Sequence, residues 1–124
     1  MKANLETVQP VLMSRDVSAS MGFFEKLGFT LEGQDVADYP KYARMCRDNV
    51  EIHFQWHDAQ EWKYPNDRPS YRFVVQDVEE LHREFSESGV SDMTPVSRTL
   101  WEALEFHVRD YDGNLLQFYR WLEP

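Results

Sequence analysis

Glu51, His53 and Gln55 stand at alternate positions of one short run, and alternate positions along a β-strand share a face. A carboxylate beside an imidazole can act as an acid–base pair, and either group can hold a divalent ion. Two polar residues on one strand face are also common in any cleft, so this pair alone does not define a reaction. Other chemistries are poorly supplied. Cys46 is the lone cysteine, which excludes a disulfide framework and a Cys-based metal site. There is no Gly-rich phosphate loop, and the Ser and His residues form no hydrolase signature. His57, His82 and His107 carry no pattern, and His82 falls on a helix surface. Aromatic residues are plentiful: 8 Phe, 6 Tyr and 4 Trp exceed what a small core needs.

The elements that position these groups come in two copies. A shift of 61 positions sets Asp16 on Asp77, Val17 on Val78, Phe24 on Phe85 and Gly28 on Gly89. A shift of 64 sets the run 48–54 on 112–118. A near-constant offset of about half the length marks two copies of one supersecondary unit, with a site expected on the axis between them. In the first copy, 8–13 reads as a strand, placed at an edge by Pro10. Asp16 or Ser18 caps a helix to Leu27 that buries Met21, Phe24 and Leu27, and Gly28 ends it. Three strands follow at 29–32, 41–47 and 50–56, the last two joined by an Asp48-Asn49 turn. In the second copy a strand at 70–76 leads to a helix at 78–88 capped by Asp77 and ended by Gly89, with Leu81 and Phe85 inward. A weak strand within 91–99 and a hairpin of 105–109 with 114–121 complete it.

The fold class expected is therefore α+β: two tandem βαβββ modules whose curved antiparallel sheets wrap a cleft. One domain spans 1–124, with module 1 at about 5–57, a linker at 58–69 and module 2 at about 70–122. Trp62 and Tyr64 lie in that linker, where they can cover a cleft mouth. Strand parity then sorts the side chains. Ile52, Phe54, Leu116, Phe118, Tyr71, Phe73 and Val75 face the helices. Glu51, His53, Gln55, Leu115, Gln117 and Tyr119 face the cleft. Pairing across the Asp48-Asn49 turn adds Cys46 opposite Glu51, Arg44 opposite His53 and Tyr42 opposite Gln55. The repeat makes Gln9 equivalent to Ser70, Val11 to Arg72 and Met13 to Val74. The ligand-contact candidates are Tyr42, Arg44, Glu51, His53, Gln55, Ser70, Arg72, Trp101, Gln117 and Tyr119.

The net charge of −9 disfavours nucleic acid and anionic membrane surfaces and favours a cationic ligand, or simple solubility. No apolar run approaches the roughly 18 residues of a membrane span. The opening residues Met1, Lys2, Ala3 and Asn4 lack a signal-type apolar region. A cytoplasmic protein is expected.

Three segments carry a resemblance. They are 10–17 (Pro-Val-Leu-Met-Ser-Arg-Asp-Val), 23–29 (Phe-Phe-Glu-Lys-Leu-Gly-Phe) and 109–116 (Arg-Asp-Tyr-Asp-Gly-Asn-Leu-Leu). Together they resemble the vicinal oxygen chelate superfamily of glyoxalase I, extradiol dioxygenases, fosfomycin-resistance enzymes and bleomycin-resistance proteins. The last segment is similar to the family's Arg-Asp-Pro-Asp-Gly-Asn hairpin, with Tyr111 in place of Pro. The bleomycin-resistance branch is the most similar, through the spacing from Trp101 to Arg109-Asp110 and the Arg47-Asp48 turn leading to Phe54. In enzymes of the family, the resemblance implies, one side chain from the first and last strand of each copy holds a divalent metal. Carried over, these are Gln9, His53, Ser70 and Gln117, and two amides, a hydroxyl and one imidazole are a poor set for a hard ion. No metal and no cofactor are therefore expected.

The resemblance also implies a homodimer, often with modules exchanged between chains, and a crevice lined by Trp101 and Tyr42. The expected function is non-catalytic sequestration of a bulky cationic aromatic small molecule such as a bleomycin-type glycopeptide antibiotic. Trp101 and Tyr42 would supply stacking and Glu51 attraction for the cation. Arg44 and Arg72 argue for a partner carboxylate or a ligand with an acidic group. The alternatives are a metal-dependent lyase, dioxygenase or thiol transferase of the same superfamily, and a small-metabolite sensor domain.

Overall fold

The computed structural model describes residues 2–61 and 68–123. The first module comprises β1 (Val11–Ser14), α1 (Val17–Lys26), β2 (Thr30–Gln34), β3 (Tyr42–Arg47) and β4 (Val50–Trp56). The second comprises β5 (Ser70–Val74), α2 (Val78–Glu87), β6 (Ser97–Arg98), β7 (Ala103–Arg109) and β8 (Leu115–Trp121). A 3-10 turn at Ala59–Glu61 follows β4. The linker residues Trp62 and Tyr64, expected to cover a cleft mouth, lie outside the described residues.

Each module forms a four-stranded sheet, ordered β1-β4-β3-β2 and β5-β8-β7-β6. The pairs β1–β4 and β5–β8 are parallel and the others antiparallel. The sheets are thus mixed, where wholly antiparallel ones were expected. The reason is the parity of chain reversals. The helix returns the chain, and two further reversals bring the last strand along the direction of the first.

Local chemistry sets the element ends. The Asp16 carboxylate accepts from the Ala19 amide at 3.1 Å and the Asp77 carboxylate from the Glu80 amide at 3.0 Å. Each satisfies an orphan N–H of a first helical turn. Asp16 rather than Ser18 is the cap, since Ser18 lies inside α1. Strand β1 begins at Val11 rather than Val8, and Pro10 contributes only a carbonyl, which accepts from the His53 amide at 2.9 Å. Leu12, Ala43, Met45, Ile52 and Phe54 of the first sheet join Phe106, Val108, Leu116 and Phe118 of the second in one buried core. Each helix adds an aromatic edge: Phe24 lies 4.8 Å from Phe54, and Phe85 lies 5.3 Å from Phe118. Trp56, at the end of β4, is partly exposed, with Lys41 Nζ 4.0 Å above its ring and its indole N–H donated to the Arg15 carbonyl. Among the described residues, no helix is long and apolar enough to cross a membrane.

Two polar latches tie the modules together. Arg47 donates to the Leu27 carbonyl at 2.7 Å and to both Glu84 carboxylate oxygens at 2.6 and 3.0 Å. Asp112 accepts from Arg15 and Ser20. Gly28 sits at φ +85°, and a Cβ there would stand 2.7 Å from Arg47 Nη1. Gly28→Ala is therefore expected to cost about 2 kcal/mol, combining left-handed backbone strain with displacement of Arg47. Chemical denaturation of the variant measures this, and an unchanged unfolding midpoint would contradict it.

Candidate functional site

The polar face of the first sheet is set by β3–β4 register. Tyr42 stands opposite Gln55, Arg44 opposite His53 and Cys46 opposite Glu51, as parity predicts. Three of these side chains form one hydrogen-bonded chain. The Tyr42 hydroxyl lies 2.5 Å from His53 Nδ1, and His53 Nε2 lies 2.7 Å from Glu51 Oε2. A carboxylate accepts, so Nε2 carries the shared hydrogen, and Nδ1 accepts from the phenol. The His53 N–H holds the Glu51 carboxyl below its ordinary range, aided by the Cys46 thiol and by Arg44, whose Nη1 is 3.8 Å away. This face therefore presents a carboxylate, a phenol oxygen and the exposed amide of Gln55.

The second sheet carries Arg72, Gln117 and Tyr119 on its polar face. The Arg72 guanidinium stacks 3.9 Å above the Tyr119 ring, donates to Gln117 Oε1 at 2.8 Å, and pairs with Glu105 at 3.4 Å. Ser70 is exposed and stands opposite Leu115, two pairs along from Gln117.

Beside this face a cavity of about 390 Å³ is lined by Thr94, Ser97, Thr99, Trp101, Glu105 and His107. Trp101 sits in the turn before β7 with 55% of its surface exposed, forming one wall. His107 Nε2 lies 2.5 Å from Glu105 Oε2, and the Glu105 side chain is only 4% exposed. Sequence reading missed this pair. The signal that could have found it is the recurrence of Glu-x-His, at Glu51-Ile52-His53 and Glu105-Phe106-His107. The two motifs do not occupy repeat-equivalent strands. The partner of β4 in the repeat is β8, whereas Glu105 and His107 lie on β7.

The ten expected contact residues thus divide between the two faces: Tyr42, Arg44, Glu51, His53 and Gln55 on one, and Ser70, Arg72, Gln117 and Tyr119 on the other. Trp101 stands at the edge of the second. The four positions carried over as metal ligands do not fit a metal. Gln9 is exposed and lies outside β1, and Val11 rather than Gln9 is the register partner of His53. Arg72, a fixed positive charge, is the register partner of Gln117 and occupies its oxygen. Among the described residues, no three His, Cys, Asp or Glu side chains are grouped to hold an ion.

The chain thus builds two βαβββ modules, each with a polar sheet face. The model of the glyoxalase/bleomycin resistance protein/dioxygenase superfamily matches residues 7–118, and the chain belongs to that superfamily. It is 30% identical to bleomycin resistance proteins of Geobacillus stearothermophilus and Staphylococcus aureus, over 90% of this chain and 93% of theirs. Among solved structures, the bleomycin resistance determinant encoded on transposon Tn5 matches with a TM-score of 0.81 at 20% identity, covering 96% of this chain and 100% of that one. The bleomycin-binding protein of Streptomyces verticillus, complexed with copper(II)-bleomycin, matches with a TM-score of 0.77 at 27% identity, covering 98% and 100%.

Proposed function

We propose that this chain binds and sequesters a bulky, planar, cationic small molecule of the bleomycin type, breaking no bond in it. The observation that carries the reading is the Trp101 ring, half exposed on the wall of a cavity bordered by polar side chains. An indole in that position offers a large stacking surface to a flat heteroaromatic ligand. The Glu51 carboxylate supplies attraction for a cation, and Tyr42, Gln55 and Gln117 supply hydrogen-bonding groups. The names of the relatives agree with this chemistry. The donor set argues against the metal-dependent reactions of the same superfamily, because the strand register places Val11 beside His53 and Arg72 beside the amide of Gln117.

The assembly is a homodimer in this reading, with the crevices formed between subunits. Leu5, Val8, Val74 and Trp121 are more than half exposed in the single chain, an apolar surface suited to a second copy. Sedimentation equilibrium measures the oligomeric state, and a monomer at micromolar concentration would remove this part.

Calorimetric titration with a bleomycin-type drug tests the main claim. Trp101→Ala is expected to weaken binding by about 10- to 100-fold, the usual range for a buried aromatic anchor. Failure of the wild-type protein to bind at micromolar drug, or equal affinity in the variant, would defeat the reading.

A further inference from the structure

The two imidazoles on the polar faces are not alike. His53 has both ring nitrogens engaged, one by Tyr42 and one by Glu51. His107 has only Nε2 engaged, by Glu105, and among the described residues Nδ1 has no hydrogen-bond partner. Because Glu105 accepts the Nε2 hydrogen, Nδ1 keeps its lone pair. His107 lines the cavity that Trp101 also walls. A carboxylate behind an imidazole is the arrangement that orients a histidine as a metal donor and raises its basicity. Glu105 is well suited to that role, being nearly fully buried and held on its other side by Arg72.

A single donor cannot retain a free ion, and no cluster of three candidate ligands exists among the described residues. One donor is enough, however, to complete the shell of an ion that arrives already chelated. We infer that His107 Nδ1 coordinates the metal of a ligand delivered as a transition-metal chelate with one open position, so that the site prefers the metal-loaded ligand to the metal-free one. Imidazole nitrogen is an apt donor for copper(II), and two of the hydroxyls lining the cavity are already engaged. The Thr99 hydroxyl is bonded to the Ala103 backbone, and the Thr94 hydroxyl accepts from the His107 amide. A similar protein has been solved with copper(II)-bleomycin. The inference rests on the sequestration reading and adds which form of the ligand is taken.

The experiment compares copper(II)-bleomycin with metal-free bleomycin, by calorimetry and by electron paramagnetic resonance. Wild-type protein is expected to bind the copper form about tenfold more tightly and to shift its copper spectrum, as an added nitrogen donor does. In His107→Gln the preference falls to near unity and the spectrum stays that of free copper(II)-bleomycin. The spectrum of the wild-type complex decides the matter even should that variant fail to fold. If both drug forms bind wild type equally and the spectrum does not change, the coordination claim fails while sequestration stands. If neither form binds, both fail. Equal loss of affinity for both forms in His107→Gln, with no spectral change in wild type, would make His107 a hydrogen-bond acceptor for the drug and overturn the metal contact.

Discussion

Asp112→Ala is expected to lower the unfolding free energy by about 3 kcal/mol and the melting temperature by roughly 10 °C. The Asp112 side chain is fully buried. One carboxylate oxygen accepts from the Arg15 amide at 3.1 Å and from Arg15 Nε at 3.0 Å, and the other accepts from the Ser20 hydroxyl at 3.1 Å. Ser20 also shares a 2.6 Å hydrogen bond with Ser14, buried at the end of β1. Deleting the carboxylate removes all three acceptor contacts at once, leaving a buried hydroxyl and a backbone amide short of partners. Arg15 keeps its stacking on Tyr111 and its bond to the Tyr111 carbonyl, and its side chain is 42% exposed, so water offsets part of the loss. Asp112→Asn keeps the shape and one acceptor, and should cost less than half as much. Urea denaturation of the three proteins measures the series. A loss under about 1 kcal/mol in Asp112→Ala would mean the hairpin does not latch the modules.

The second large effect is a pH dependence that runs against the usual direction for a carboxylate. Asp110, next to this latch, has its pKa pushed up from 3.8 to about 6, chiefly by burial. Hydrogen bonds from the Asp112 amide and from the Asn114 amide and side chain pull it down, and the neighbouring Asp112 charge pushes it up. A folded pKa above the unfolded value means the native state holds the proton more tightly. The stability contributed by Asp110 is then fully present below about pH 4 and lost as pH rises through 6. The shift corresponds to about 3 kcal/mol across that window. Glu51, held low by His53, has the opposite sign: its contribution is present above its unfolded pKa and lost only in acid. The two effects separate by mutation. Asp110→Asn removes one titration, so wild type should gain stability relative to Asp110→Asn on going from pH 7 to pH 4. A difference between the two proteins that stays constant over this range would contradict the assignment.

The duplicated pattern was the most legible part of the chain. Asp16 with Asp77 and Gly28 with Gly89 mark the start and stop of both helices, because a cap and a left-handed turn depend on a few neighbouring residues. The β3–β4 pairing was legible for the same reason. A tight turn at Asp48-Asn49 leaves one register, and that register placed Tyr42, Arg44, Glu51, His53 and Gln55 on one face. The parallel outer pairs were not legible as parallel, since that relation joins β1 to β4 across about 40 residues with no local signature. The carried-over set of Gln9, His53, Ser70 and Gln117 fell short for a related reason. Parity assigns a face, but the parallel register puts Val11 and Arg72 beside His53 and Gln117.

What the sequence determined alone is the alternation along each strand and the boundaries of each helix, because these follow from backbone geometry over two to four residues. The resemblance to the superfamily was carried by the three segments 10–17, 23–29 and 109–116, and the family model matching residues 7–118 bears it out. Tertiary structure alone decided which groups meet. It set the Glu105–His107 pair and Trp101 around one cavity, closed the chain from Tyr42 through His53 to Glu51, and buried Asp112 against the start of α1. Hydrogen-bond partners and desolvation depend on distances through space, and a linear chain carries those only after its two copies have packed on one core.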